Sequence, residues 1–186
     1  MASSSTNRNN ITSLLTLMFF IIINVREVAG EPPSVVPSAC KRAYGVGIGS
    51  FTEDFCLSAL TGHSAGAADD GDLALIAVDL ATANATDTER KIDELLRGGG
   101  GGDVSEGLQS CRALYKAVVH QYQPQCRAAV KDRRFADGKL CLFWTAQATA
   151  DCERWFQQRM LASPVAREDD SLAKLANLAI ALSSIA

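Results

Sequence analysis

Six cysteines, Cys40, Cys56, Cys111, Cys126, Cys141 and Cys152, offer this 186-residue chain three kinds of chemistry: metal binding, nucleophilic attack and cross-linking. No two stand at the Cys-x-x-Cys spacing of a zinc site, and His63 and His120 lie far apart. No nucleophile motif accompanies His120, which reads as an ordinary helix histidine, so the chain reads as a non-enzyme without cofactor or metal. An even number of thiols then reads as a disulfide framework in an oxidising compartment, with many pairings open. The stretch CRALYKAVVHQYQPQC, residues 111–126, narrows them. It is helical in pattern, and a rise of about 1.5 Å per residue holds its two sulfurs roughly 22 Å apart, so each needs a partner elsewhere. The other chemical cluster surrounds RRFADG at 133–138, where Arg127, Lys131, Arg133, Arg134 and Lys139 gather with Asp132 and Asp137 as the only acids. Taken alone, it reads as a solvated turn between helices. The glycine run at 98–102 is followed by no Lys-Ser/Thr pair and is a connector, not a phosphate loop.

These residues need elements to hold them. Leu73, Ile76, Ala77, Leu80 and Leu95 recur at helical spacing until the glycines end the pattern. A second helix begins near Ser105 and carries Leu108, Cys111, Tyr115, Val118, Tyr122, Cys126 and Ala129 on one face; Pro124 should bend or interrupt it. Leu140, Trp144, Ala148, Cys152, Phe156 and Met160 predict a third face, and Leu172, Leu175, Leu178, Ala179, Leu182 and Ile185 a fourth. Tyr115, Tyr122, Trp144 and Trp155 are expected in the core. No segment alternates with period two for long, so the expected class is all-α. Its architecture is an antiparallel up-and-down four-helix bundle with connectors of roughly 6 to 10 residues. Helices two and three would then form a hairpin around RRFADG. Facing residues in a hairpin have a nearly constant summed number, and Cys111 with Cys152 and Cys126 with Cys141 agree on it to about one helical turn. Cys40 and Cys56 are left to each other, closing a small N-terminal hairpin. Register favours this set among the pairings that remain open.

The first residues set the compartment. MASSSTNRNN carries Arg8, an apolar run of 13 residues follows from Ile11, and Val28, Ala29 and Gly30 are small. This is the build of a secretory signal cleaved after Gly30, and the run falls short of the roughly 18 apolar residues a membrane span needs. The expected organisation is a signal at 1–30 and one domain at 31–186, divided into the N-terminal hairpin (31–66) and the bundle (71–186). Residues 31–106 hold 5 basic and 13 acidic groups and residues 107–186 hold 11 and 7, a split of -8 against +4, so the two halves should present opposite fields. No basic run has the length or aromatic interleaving of a nucleic-acid binder. Asn84 opens the sequon NAT, but helical phase puts it inside the apolar stripe, so a glycan is not expected there.

CKRAY, DFCLSAL, ADDGDLALIAVDLATANAT, CRALYKAV, ADCERWF, SPV and LANLAIAL, in this order and spacing, resemble the plant invertase and pectin methylesterase inhibitor family over the whole mature chain. The resemblance implies a four-helix bundle behind a helical hairpin, with disulfides at the positions of Cys40 with Cys56 and Cys111 with Cys152. Cys126 and Cys141 depart from the family's usual four cysteines. It also implies a protein that is secreted to the apoplast or vacuole and blocks a carbohydrate enzyme. Acid invertase is the favoured target and pectin methylesterase the alternative; a secreted helical small-ligand carrier is the more distant one. In the invertase inhibitors a Pro-Lys-Phe motif, often followed by Asp-Gly, lies between the second and third bundle helices and enters the target's active site. Here Arg134 and Phe135 match Lys-Phe, Asp137 matches the acidic residue, and Arg133 replaces the proline. The expected target-binding residues are therefore Arg133, Arg134, Phe135 and Asp137.

Overall fold

The computed structural model describes residues 35–99 and 101–186. The signal reading of residues 1–30 and the beginning of the N-terminal segment lie outside them. Helices α1 (Val36–Gly45) and α2 (Glu53–Leu60) form the N-terminal hairpin. The bundle follows: α3 (Asp70–Arg97); α4 (Asp103–Ala117), which runs through a π-helical turn (Val118–Tyr122) into α5 (Gln123–Lys131); α6 (Phe135–Gln157); and α7 (Ala166–Ile185). With α4 and α5 counted as one rod, these are four antiparallel helices, and α7 closes the ring by packing on both α6 and α3. No helix among the described residues is long and apolar enough to cross a membrane.

Local chemistry explains the boundaries. The Asp69 carboxylate accepts the Asp72 N–H at 2.9 Å and the Asp72 carboxylate accepts the Ala68 N–H at 2.9 Å, so two donors at the start of α3 are satisfied by acids that the helix dipole also favours. Thr52 caps α2 by accepting the Phe55 N–H at 3.1 Å. Pro124 interrupts the second rod without ending it. Its missing N–H falls just after the π-helical turn, whose wider i→i+5 ring takes up the break and leaves the rod continuous. At this level Gln123 is buried between two hydroxyls: Thr82 donates to its Oε1 at 2.9 Å and its Nε2 donates to Thr145 at 3.1 Å.

That polar layer lies between two apolar clusters. One contains Leu73, Val78, Val130, Leu142, Leu178 and Leu182 and takes in Ala39, Phe51 and Leu60 of the hairpin, so α1 and α2 share the bundle's core. The other, at the far end, is built on Ile92, Leu108, Tyr115, Phe156 and Leu172. Cys40 is bonded to Cys56 within the hairpin, Cys126 to Cys141 in the first cluster, and Cys111 to Cys152 in the second. At Gly107 of α4 a Cβ would stand 2.6 Å from the rings of Trp155 and Phe156, so glycine is what lets α6 approach.

Three expectations change. The third face holds only in part: Ala148, Cys152 and Phe156 are buried as expected, but Leu140 and Trp144 are 61% and 48% exposed, and Met160, beyond the end of α6, is 94% exposed. In the first half of α6 the buried stripe runs through Cys141, Leu142 and Thr145 before it meets the expected face at Ala148, with Thr149 beside it, and these threonines satisfy their hydroxyls on the carbonyls of Cys141 and Ala146. The connectors occupy residues 98–102, 132–134 and 158–165, and the middle one is much shorter than anticipated because Phe135 to Gly138 form the first turn of α6.

The charge split, finally, does not create two opposed fields. Antiparallel packing sets the basic rod α4–α5 against the acidic α3, and Arg112 pairs with Asp93 at 2.5 Å, Arg127 with Asp79 at 2.7 Å and Arg133 with Asp69 at 2.8 Å. Much of the imbalance is neutralised along this seam.

Asn84 lies half-buried in α3, with its Nδ2 donating to the Ser171 hydroxyl of α7 at 3.3 Å. A glycan on that nitrogen would have to separate the two helices. Protein expressed through a secretory pathway should therefore show no mass loss at Asn84 on enzymatic deglycosylation, and full occupancy there would contradict this packing.

Candidate functional site

The tip between α5 and α6 gathers the four residues expected to touch a partner. Its backbone is an ordered helix stop. Asp132, Arg133 and Arg134 donate their N–H groups to the carbonyls of Ala128, Val130 and Ala129 at 3.0, 3.0 and 2.9 Å, and the Arg134 carbonyl accepts the Gly138 N–H at 3.0 Å. This is the Schellman pattern, which requires a left-handed residue just past the helix end; Arg133 fills that position at φ 59°. A side chain in this conformation costs roughly 1–2 kcal/mol where glycine would cost little.

Contacts of the Arg133 side chain offset that strain. Its Nη1 donates to Asp69 at 2.8 Å and its Nη2 to Asp72 at 2.9 Å, so one guanidinium spans the cap of α3. It also lies over the Phe135 ring, 5.9 Å from its centroid. A Cβ at Gly71 would fall 1.7 Å from Nη1, so the seat exists because residue 71 is glycine. The Arg133 guanidinium holds the Asp69 carboxyl below the usual carboxylate range. With the folded value depressed, this contribution to stability is present above the unfolded pKa and is lost as pH falls through the folded one.

Arg134 is held differently. Its partners are Asp137, one turn into α6, and Asp132 at 3.7 Å, and both carboxylates are more than 60% exposed. Phe135 is half-buried against the first apolar cluster and anchors the start of α6. Beside Arg134 and Asp137 runs a groove of about 520 Å³, floored by Ala129 and Cys141 and walled by Tyr122, Leu140 and Trp144. Phe143 stacks edge-on to Trp144 and is itself exposed, so apolar and charged surface meet at this end of the bundle.

The tip thus brings Arg133, Arg134, Phe135 and Asp137 together but divides them by partner: Arg133, although 47% exposed, is tied across to the cap of α3 and Phe135 is half-buried, whereas Arg134, 51% exposed, pairs only with Asp132 and Asp137 of the tip itself. The partners of Arg133 were missed in the sequence. The constant-sum register applied to the cysteines would have found them, because Asp69 with Arg133, Asp79 with Arg127 and Asp93 with Arg112 follow the same rule across α3 and α4–α5. The exposed α6 face carries no signal in the sequence, because Leu140, Phe143 and Trp144 have the bulk and apolarity of core residues.

A family model described as plant invertase/pectin methylesterase inhibitor matches residues 34–182. Among solved structures, the chain is similar to a mutant form of a pectin methylesterase inhibitor from Arabidopsis, with a TM-score of 0.68 and 18% identity over 82% of this chain and 97% of that one. It is also similar to a pectin methylesterase inhibitor from Arabidopsis thaliana, with a TM-score of 0.60 and 16% identity over 83% and 97%. At such identities the likeness is one of fold. No curated protein sequence matches the chain.

Proposed function

The chain belongs to the plant invertase/pectin methylesterase inhibitor family, and from that premise we propose that it is a secreted, non-catalytic inhibitor that blocks an acid invertase of the apoplast or vacuole through the tip at residues 132–137. The observation that carries this reading is the state of Arg134: a cation at the apex of an ordered turn, held by exposed carboxylates alone. Exposed ion pairs contribute about 0–1 kcal/mol, so exchanging Asp132 and Asp137 for another pair of acids costs little. Glycoside hydrolases work with two carboxyl groups flanking the scissile bond, and a guanidinium fork is matched to such acids. Arg133 acts in support, fixing the tip to α3. The groove beside Trp144 and Leu140 supplies the apolar contact that a charged anchor alone lacks.

One observation favours pectin methylesterase as a second reading. Residue 133, where the invertase inhibitors resembled by RRFADG carry proline, sits at φ 59°, whereas proline is confined near -65°. The tip therefore differs in shape from a Pro-Lys-Phe tip, and in this reading the exposed Leu140, Phe143 and Trp144 face of α6 carries the contact. The two solved relatives, both named as pectin methylesterase inhibitors, lean the same way.

Titrating the secreted protein against an acid invertase and a pectin methylesterase in parallel separates them. Saturable loss of invertase activity is expected. Loss of pectin methylesterase activity with invertase untouched moves the assignment to the second reading, and no effect on either overturns both.

A further inference from the structure

At the end of the bundle opposite the tip, two acids face each other without a cation. Asp169, in the first turn of α7, is 2% exposed, and one of its oxygens accepts the Tyr115 hydroxyl of α4 at 2.5 Å. Its other oxygen, Oδ2, has no donor, and neither does Oε1 of Glu153 on α6. The two carboxyl groups and the sulfur of Cys152 lie within 4.8 Å of one another. That sulfur is bonded to Cys111 and offers no thiolate, so the cluster lacks a third ligand for a metal. The remaining charged neighbours do not help. Glu168 of α7 is a further acid, already paired with Lys91 of α3 at 2.8 Å, and no ion pair to Asp169 or Glu153 occurs among the described residues. Two buried acceptors this close, with no donor for either, are both left unsatisfied, and one proton between them satisfies both.

We infer that Asp169 and Glu153 share one proton, and that this proton latches α6 to the first turn of α7, so that the base of the bundle is tight in acid and loosens as pH rises past neutral. Burial, followed by the Glu153 carboxyl, pushes Asp169 up to about 8. The N-terminus of α7 favours the anion, but a helix end is worth at most about 2 kcal/mol and is outweighed here by burial beside other acids. Because the folded value is raised, the latch's contribution is fully present below the unfolded pKa of about 3.9, erodes as pH rises, and is lost through about 8. The latch is a property of the fold and does not rest on which enzyme is bound.

The test is the thermal midpoint of the disulfide-bonded protein at a series of pH values from 5 to 8.5. The parent's midpoint should fall across that range by about 10 °C. Asp169→Asn keeps an acceptor for Tyr115 and gains a donor for Glu153 without titrating, and Glu153→Gln supplies a donor to Asp169; each should flatten most of the fall. Each variant leaves every other side chain in place, so the pH dependence of the rest of the chain is common to all three proteins. A parent midpoint independent of pH, or the parent's slope kept by both variants, overturns the latch. Should either variant fail to fold, carboxyl-carbon NMR of the parent decides: one aspartate titrating near 8 supports the shared proton, and none titrating above about 6 excludes it.

Discussion

Arg134→Ala should weaken inhibition of an acid invertase by at least about tenfold while leaving the helical content unchanged. Truncating one member of a desolvated charge pair typically costs about 2–5 kcal/mol, much of it the penalty of leaving the partner acids buried and unpaired. The lower bound is the safer one here, because free Arg134 gives up Asp137 and Asp132 on binding. Arg134→Lys should cost less than the alanine change, since the charge persists and only the planar fork is lost. Arg133→Ala makes the informative contrast. Its guanidinium is committed to Asp69 and Asp72, so its removal should lower the thermal midpoint more clearly than Arg134→Ala does, and should raise the inhibition constant less. Arginine stays charged throughout, so inhibition should fade as pH drops below the pKa values of the target's carboxylates, and added salt should slow association. An Arg134→Ala protein as potent as the parent would remove the tip from the mechanism.

The largest stability effect should come from replacing Cys111 and Cys152 together by alanine. Their bond spans 41 residues, and closing a loop of that length is worth about 4 kcal/mol in the chain-entropy account, or about 10 °C in thermal midpoint for a domain of this size. Both sulfurs are fully buried, so lost packing adds to the entropy. The Cys126–Cys141 bond spans 15 residues and lies inside the larger loop, so with the outer bond intact it closes a segment already restrained. Its double alanine variant should lose less than the roughly 3 kcal/mol of an isolated loop. Equal losses for the two variants would show that loop closure is not what the outer bond contributes.

The bundle was legible in the sequence because each rod repeats an apolar stripe at helical spacing. Leu108, Cys111, Tyr115 and Val118, and Leu172, Leu175, Leu178 and Leu182, are buried as their spacing demands. Phase held in the second half of α6, at Ala148, Cys152 and Phe156, and failed in the first, where Gly138, Cys141, Leu142 and Thr145 face inward and the bulky Leu140, Phe143 and Trp144 lie outside. A scale that weighs side chains one at a time cannot see that a threonine bonded to its own helix is cheap to bury. The tip was legible as a cluster of charge but not as a geometry. What decides which arginine is tethered to α3 is an aspartate pair more than 60 residues earlier, together with a glycine between them that leaves room for a guanidinium. Only the fold brings these together.

The three-residue stop between α5 and α6 bears on kinetics. A flexible recognition loop gives up conformational entropy on docking, about 0.5–1.5 kcal/mol for each long side chain immobilised, with backbone ordering in addition. Here the amides of residues 132–134 are already bonded and Arg133 is already tethered, so that loss has been met during folding. A partner that takes this tip meets a rigid wedge whose encounter requires no ordering step. Variants that loosen it without touching the contact, such as Gly71→Ala beneath the guanidinium, should therefore slow association, whereas variants of Arg134 should mainly hasten release.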